Sequence, residues 1–383
     1  MKKIMEIFLR FKLCGIALIC IILLIWASPN SFAKSYSESD LMQTEEFNEL
    51  FDEVPDEVRE ILEENGIDKI DYDSIFNISP KKLWETLKEL TTGQTQPPLK
   101  SLVRLLSVII ILAVCGCFVT DDDKMKTVTQ TAGALLCVIS IISPLADAVS
   151  SAVAAITLSE KFNLALIPAL AAVVSISGNP TLALSFQSVA FAAAQIIAAA
   201  SKNYLVPVVG TVLSLDVTGC VLPSFKLGSL TGIIKKTIVA ILSFVATVFV
   251  SLLGIKGGLA NAADTVASRG IKLAISSIVP VVGGALSEVF SGVVGSLVLV
   301  KSALGIFGII VITLINLPFC IQLVFWIFSL RFAAAVGEML NQDGVAELLK
   351  AVASTITLLN VVLVFNAVLF IIAIALILMI KAG

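Results

Sequence analysis

Asn261, Asp264, Ser268 and Lys272 recur at intervals of three and four residues, the spacing that places side chains on one face of an α-helix. With Ala, Val and Leu opposite them, the stretch 256–280 reads as an amphipathic helix. Such a helix either lies at a membrane interface with its polar stripe solvated or lines an aqueous path. Four more ionisable residues, Asp147, Asp216, Glu288 and Lys301, interrupt long apolar runs. A charge at membrane depth is costly and faces a partner, a cavity or an ion path; the other reading is that each lies closer to an interface. These eight residues are the candidate membrane-depth or path-lining positions. Glu288 and Lys301 stand 13 residues apart, roughly 20 Å along a helix, so they cannot pair within one.

The missing chemistry narrows the field further. The chain has no histidine, which removes Ser-His-Asp and Cys-His catalysis, the HExxH helix and most zinc sites. Cys14 and Cys20 lie in the N-terminal apolar run, and Cys115, Cys117, Cys137, Cys220 and Cys320 in later ones. No disulfide framework follows, and Cys115-Gly116-Cys117 is either a metal or redox pair or small apolar filler. No catalytic residue, cofactor or metal site is assigned. An intramembrane enzyme has little support, because no Ser/Lys spacing singles out a nucleophile and its base.

The elements that must position these residues are membrane helices. Of 383 residues, 57% are apolar and 14% charged, with a mean hydropathy of +1.00, far from the composition of a soluble domain. Lys2, Lys3, Arg10 and Lys12 precede the apolar run Leu13 to Trp26, and Ser31-Phe32-Ala33 offers a cleavage site, so residues 1–33 read as a signal peptide or an uncleaved anchor. Residues 34–100 hold 17 of the 29 acids, a balance that would repel nucleic acid. They read as a small, acidic, helical extracytoplasmic domain, serving as a solvated spacer or a partner-docking surface. Within it, Pro55 opens a helix with Val58, Ile61 and Leu62 on one face, Asn65-Gly66 ends it, and Thr91 to Pro98 is a linker.

Residues 101–383 form the membrane domain, and the fold class is an all-α polytopic membrane protein with seven to nine transmembrane helices. Candidate spans are 102–119, 131–156, 162–177, 181–200, 204–222, 236–254, 281–299, 303–329 and 352–380. Export of residue 34 would put loop 121–126 inside. Nine spans would then place Lys226, Lys235, Lys236, Lys301, Lys381 and the C-terminus in the cytoplasm. Lys256, Arg269, Lys272, Arg331 and Lys350 would lie outside, against the usual cytoplasmic bias of basic loops.

An internal repeat runs through this domain, with cores near 204–235 and 277–308. Pro207-Val208-Val209-Gly210, then Leu213-Ser214 and Asp216, is echoed by Pro280-Val281-Val282-Gly283, then Leu286-Ser287 and Glu288. The offset of 73 also carries Gly219 onto Gly292, Ser229 onto Ser302, Gly232 onto Gly305 and Ile233 onto Ile306. Duplicated units with interrupted helices build many transporters; chance similarity between Gly- and Val-rich spans is the alternative. Gly283-Gly284, Gly295-Ser296 and Gly305 to Gly308 allow close helix approach, and self-association through that face is one step further.

The whole chain resembles the stage III sporulation protein AE family of endospore-forming Firmicutes. The carriers are the export signal, the acidic domain and above all Lys272 to Glu288, continued by Gly292, Leu299, Lys301, Gly305 and Gly308. The resemblance implies a component of the secretion-like complex joining mother cell to forespore, sited in the mother-cell membrane around the forespore. It also implies as partners the other stage III sporulation A-operon proteins and, across the intermembrane space, stage II sporulation protein Q. Membrane lipid is a further partner by composition. No catalytic residue carries over. The competing function is a stand-alone ion-coupled secondary transporter, for which the repeat and the carboxylates within apolar runs speak.

Overall fold

The computed structural model describes residues 50–67, 70, 75, 80–117, 123–176, 180–221, 227–278 and 283–378. The expected signal peptide, residues 1–33, lies outside the described residues, as does Pro280 of the second repeat core.

The first element follows from local chemistry. Pro55 precedes α1 (Asp56–Glu64), whose first turn carries Asp56 and Glu57 at the positive end of the helix dipole. Val58, Ile61 and Leu62 form its buried face, as their spacing predicts. The helix ends where Gly66 turns left-handed at φ 83°. There the Gly66 N–H bonds the Glu63 carbonyl at 2.9 Å and the Ile67 N–H bonds that of Leu62 at 2.8 Å, the paired closure that favours glycine. Just before it, Phe51 stacks on Phe307 with ring centroids 6.1 Å apart, so the acidic segment is docked on the bundle through an apolar face.

The remaining described elements are helices: α2 (Pro80–Cys117), α3 (Asp123–Ile176), α4 (Pro180–Ala200), one π-helical turn at Ser201–Leu205, α5 (Val206–Val221), α6 (Leu227–Ile278), α7 (Gly283–Met339) and α8 (Asp343–Leu378). Among the described residues, six segments are long and apolar enough to cross a membrane: Gly93–Gly116, Gln130–Ile176, Ala183–Cys220, Leu227–Leu252, Leu299–Met339 and Asp343–Ala375. Against the seven to nine crossings expected, the difference arises because neighbouring expected spans run together. Spans 131–156 and 162–177 share α3, 181–200 and 204–222 join through the π turn, and 281–299 and 303–329 share α7. The polar positions Ser159-Glu160-Lys161, Ser201-Lys202-Asn203 and Lys301-Ser302, expected as breaks, are helix interior. α3 and α7 have 54 and 57 residues, well beyond the ~20 that a bilayer requires.

Two more boundaries move. α2 runs straight through Thr91 to Pro98, the expected linker: Pro97 and Pro98 each delete a helical hydrogen bond without ending the helix. The amphipathic stretch 256–280 is not a separate helix, because α6 continues from Leu227 to Ile278 with no proline inside it. The two repeat copies differ locally. The first is carried by α5, followed by a second helix from Leu227, whereas Gly283 opens the uninterrupted α7.

The packing fixes which ends lie together. Leu378 at the close of α8 sits against Gly305, two residues from Phe307 and hence from the acidic segment. At the other end, Leu340–Gln342 joins α7 to α8 in a tight turn: Asn341 is left-handed at φ 57°, and the Gln342 N–H caps the Gly337 carbonyl at 2.8 Å. Gln342 reaches Gly116 at the end of α2, and Gly344 faces Gln130 near the start of α3. The final described residues therefore share an end of the bundle with residues 50–67, and Lys350 lies toward the opposite one. The arrangement expected for nine crossings put Lys350 on the side of the acidic domain; here Leu378, not Lys350, lies nearer residues 50–67.

α7 and α8 are the centre. Trp326, Leu330, Ala333, Val352, Ile356, Leu359 and Leu363 pack with Leu105 and Ile109 of α2 and Ile141, Leu145 and Ala152 of α3 in one cluster. Between apolar helices in lipid there is little hydrophobic gain, so close fit and interhelical hydrogen bonds supply the cohesion.

Candidate functional site

Asp216 is the candidate residue that the fold turns into a site. It lies on α5 with its side chain 3% exposed, and its Oδ2 receives the Lys235 ammonium of α6 at 2.6 Å. The Thr355 hydroxyl of α8 donates to the same oxygen at 2.6 Å. Lys235 also donates to the Ser354 hydroxyl and, at 3.4 Å, to the Ala351 carbonyl. A carboxylate removed from water is thus met by one cation and one hydroxyl, and the cation in turn by three oxygens. That is the condition under which buried opposite charges offset their desolvation. The node clasps three helices, and any motion of α6 relative to α8 must break or exchange these bonds.

A second polar level lies 11 residues further along α8, roughly 16 Å on. Asn366 donates to the Ser201 hydroxyl at 2.9 Å, Glu160 of α3 pairs with Lys202, and Asn316 of α7 donates to the Ser159 hydroxyl at 2.7 Å. Asn316 and Asn366 are each 25 residues from Asn341, so on the antiparallel hairpin they stand at one height. Ser159 and Glu160 are neighbours on α3, and Ser201 and Lys202 on the π turn. One band of hydrogen bonds and charge therefore ties four elements together. The wider π turn re-aims Ser201 and Lys202 within an otherwise continuous helix, a usual role for such a turn at functional positions.

The other candidates are placed as follows. Lys301 is buried on α7, at the end bearing Phe307. Asp147 is exposed on α3 and lines a cleft with Arg104 of α2. Pro207 and Gly210 lie on the outward side of α5. Asn261, Asp264, Ser268 and Lys272 belong to α6, and Glu288 to α7; their side chains lie outside the described residues. No group of three His, Cys, Asp or Glu side chains that could hold a metal occurs among the described residues.

Sequence reasoning missed Lys235, Ser354 and Thr355, and the whole second level. Lys235 reads as a loop residue, and Glu160 and Lys202 fall in the gaps between candidate spans. The available signal was that Asp216 and Lys235 are 19 residues apart across a short break, the spacing of a hairpin whose arms can pair.

The profile of stage III sporulation protein AE matches residues 68–381. A curated relative, stage III sporulation protein AE of Bacillus subtilis (strain 168), is 22% identical over 259 residues, covering 66% of this chain. The match spans 65% of that relative's length. No solved structure matches the chain. The chain belongs to the stage III sporulation protein AE family, whose name denotes a developmental stage and not a reaction.

Proposed function

We propose that this family member is a membrane component of a secretion-like channel joining mother cell to forespore, required for late forespore development. In this reading it lies in the mother-cell membrane with residues 34–100 in the intermembrane space. Its partners there are the other stage III sporulation A-operon proteins and stage II sporulation protein Q. The observation that supports the reading, beside family membership, is the Asp216–Lys235–Thr355 node. The buried charge is committed to clasping helices, as suits a component that must hold a defined bundle within a larger assembly.

Because Leu378 shares the end of residues 50–67, a C-terminal tag would also face the intermembrane space. The test is imaging through engulfment in a spore-forming host, with the untagged gene deleted and a C-terminal fluorophore that matures outside the cytoplasm. Enrichment around the forespore in cells that still sporulate is expected. Uniform fluorescence in vegetative membranes would overturn the assignment.

The paired charges Asp216–Lys235 and Glu160–Lys202 favour one second reading, an ion-coupled secondary transporter. Gradient-dependent uptake by the purified protein in vesicles would establish it, and absence of uptake under proton and sodium gradients would remove it.

A further inference from the structure

We propose that the cleft between α2 and α3 holds one phospholipid whose headgroup carries both a phosphate and an ammonium, as phosphatidylethanolamine does. The cleft has a volume of about 700 Å³, within the range of small-molecule sites. Arg104 is the cation among its lining residues and Asp147 the anion, and Ser140 and Ser143 line it as well. Both charged residues are exposed, and no ion pair joins them, although they line the same space. Their neighbours are apolar and outward-facing: Val103 is 64% exposed and Ile139 70%. Unpaired charge on a face that apolar side chains direct into hydrocarbon is expensive, so something must meet it.

The chemistry of the walls selects the occupant. Guanidinium groups bind phosphate through forked hydrogen bonds. At the other side, Pro144 has no N–H, so the Ser140 carbonyl lacks its helical donor. Together with the Asp147 carboxylate, that carbonyl offers two acceptors to an ammonium. Below the charged pair, Ile110, Ile111 and Val114 of α2 and Leu135 and Leu136 of α3 are all exposed and form an apolar track for acyl chains. Leu112 packs at Gly133, which confirms that the two stretches run side by side. An anionic headgroup would satisfy Arg104 but set a second negative charge beside Asp147, and a neutral diacylglycerol would satisfy neither. The inference is independent of the channel reading.

The test uses the full-length protein purified in detergent, with phosphatidylethanolamine and phosphatidylglycerol added at equal concentration and bound lipid read by native mass spectrometry. Preferential retention of phosphatidylethanolamine is expected. Arg104→Gln should weaken both lipids about tenfold, the scale of one charge-assisted hydrogen bond. Asp147→Asn should erase the preference while retaining binding. Both side chains are exposed, so thermal unfolding of the lipid-free variants should match wild type, which separates lost binding from lost fold. Equal retention of the two lipids by wild type, or retention unchanged in both variants, would overturn the proposal. So would comparable binding of free phosphoethanolamine, which has the headgroup without chains. An in-cell crosslink from Ser143→Cys to another protein, with lipid retention unaffected by Arg104→Gln, would assign the cleft to a partner helix instead.

Discussion

The α7–α8 hairpin and α6 are both apolar helical elements, yet they are held in opposite ways. In each hairpin span 61% of the most apolar stretch is buried inside the protein, against 17% in α6. The hairpin fits by shape: Gly308 admits Leu166 of α3, and Gly305 admits Leu378, so close that an added methyl would collide at 2.5 Å. Over Leu227–Leu252, α6 turns only a narrow stripe inward, Thr231, Ile238, Leu242 and Phe249, with Lys235 on the same line. Leu230, Ile233, Ile241, Phe244 and Leu252 face out. A helix with so little packed surface depends on a few strong polar bonds, whereas a helix packed all round depends on none in particular.

This contrast breaks most readily at Asp216. Asp216→Ala should destabilise the protein by about 3–5 kcal/mol, because it leaves the Lys235 ammonium enclosed without its counter-charge. Asp216→Leu combined with Lys235→Met should cost less than Asp216→Ala alone. Denaturation in mixed micelles measures both, and an additive double variant would show that the pair is not coupled. Next in size is Gly308→Val, at about 1–3 kcal/mol by overpacking. Leu166 is fully buried and has nowhere to withdraw, so a wild-type unfolding midpoint would refute the close fit. The smallest effect belongs to Glu338–Lys350, an ion pair beside the α7–α8 turn with both side chains about half exposed. Glu338→Gln should change stability by less than about 1 kcal/mol and less still in high salt. A loss as large as that of Asp216→Ala would abolish the distinction between exposed and enclosed charge on which the comparison rests.

The helical class, the α1 helix with its Gly66 ending, and Asp216 as a charge set within an apolar run are legible in the sequence because each depends on nearby residues. Periodicity exposes Val58, Ile61 and Leu62, and a lone acid in an apolar run exposes Asp216. The merged helices are not legible, and the reason is physical. Hydropathy assigns Glu160 and Lys202 the cost of isolated charges, so each run seems to end there. Their pairing, 42 residues apart in sequence, offsets that cost only once the fold exists. The same holds for Lys235, whose partners lie 19, 116 and 119 residues away.

α8 follows every other described helix in sequence, and this has a consequence for biosynthesis. Thr355 completes the Asp216 node and Asn366 the second level, yet both lie on α8, which is synthesised after the other described helices. Until then Asp216 and Lys235 have each other but not the hydroxyls and carbonyl of α8, and Ser201 has no asparagine. Both polar levels are therefore completed only once α8 has docked. A chain stopped short of residue 343 would leave Asp216, Lys235 and Ser201 without the hydroxyls, carbonyl and amide that α8 brings to them.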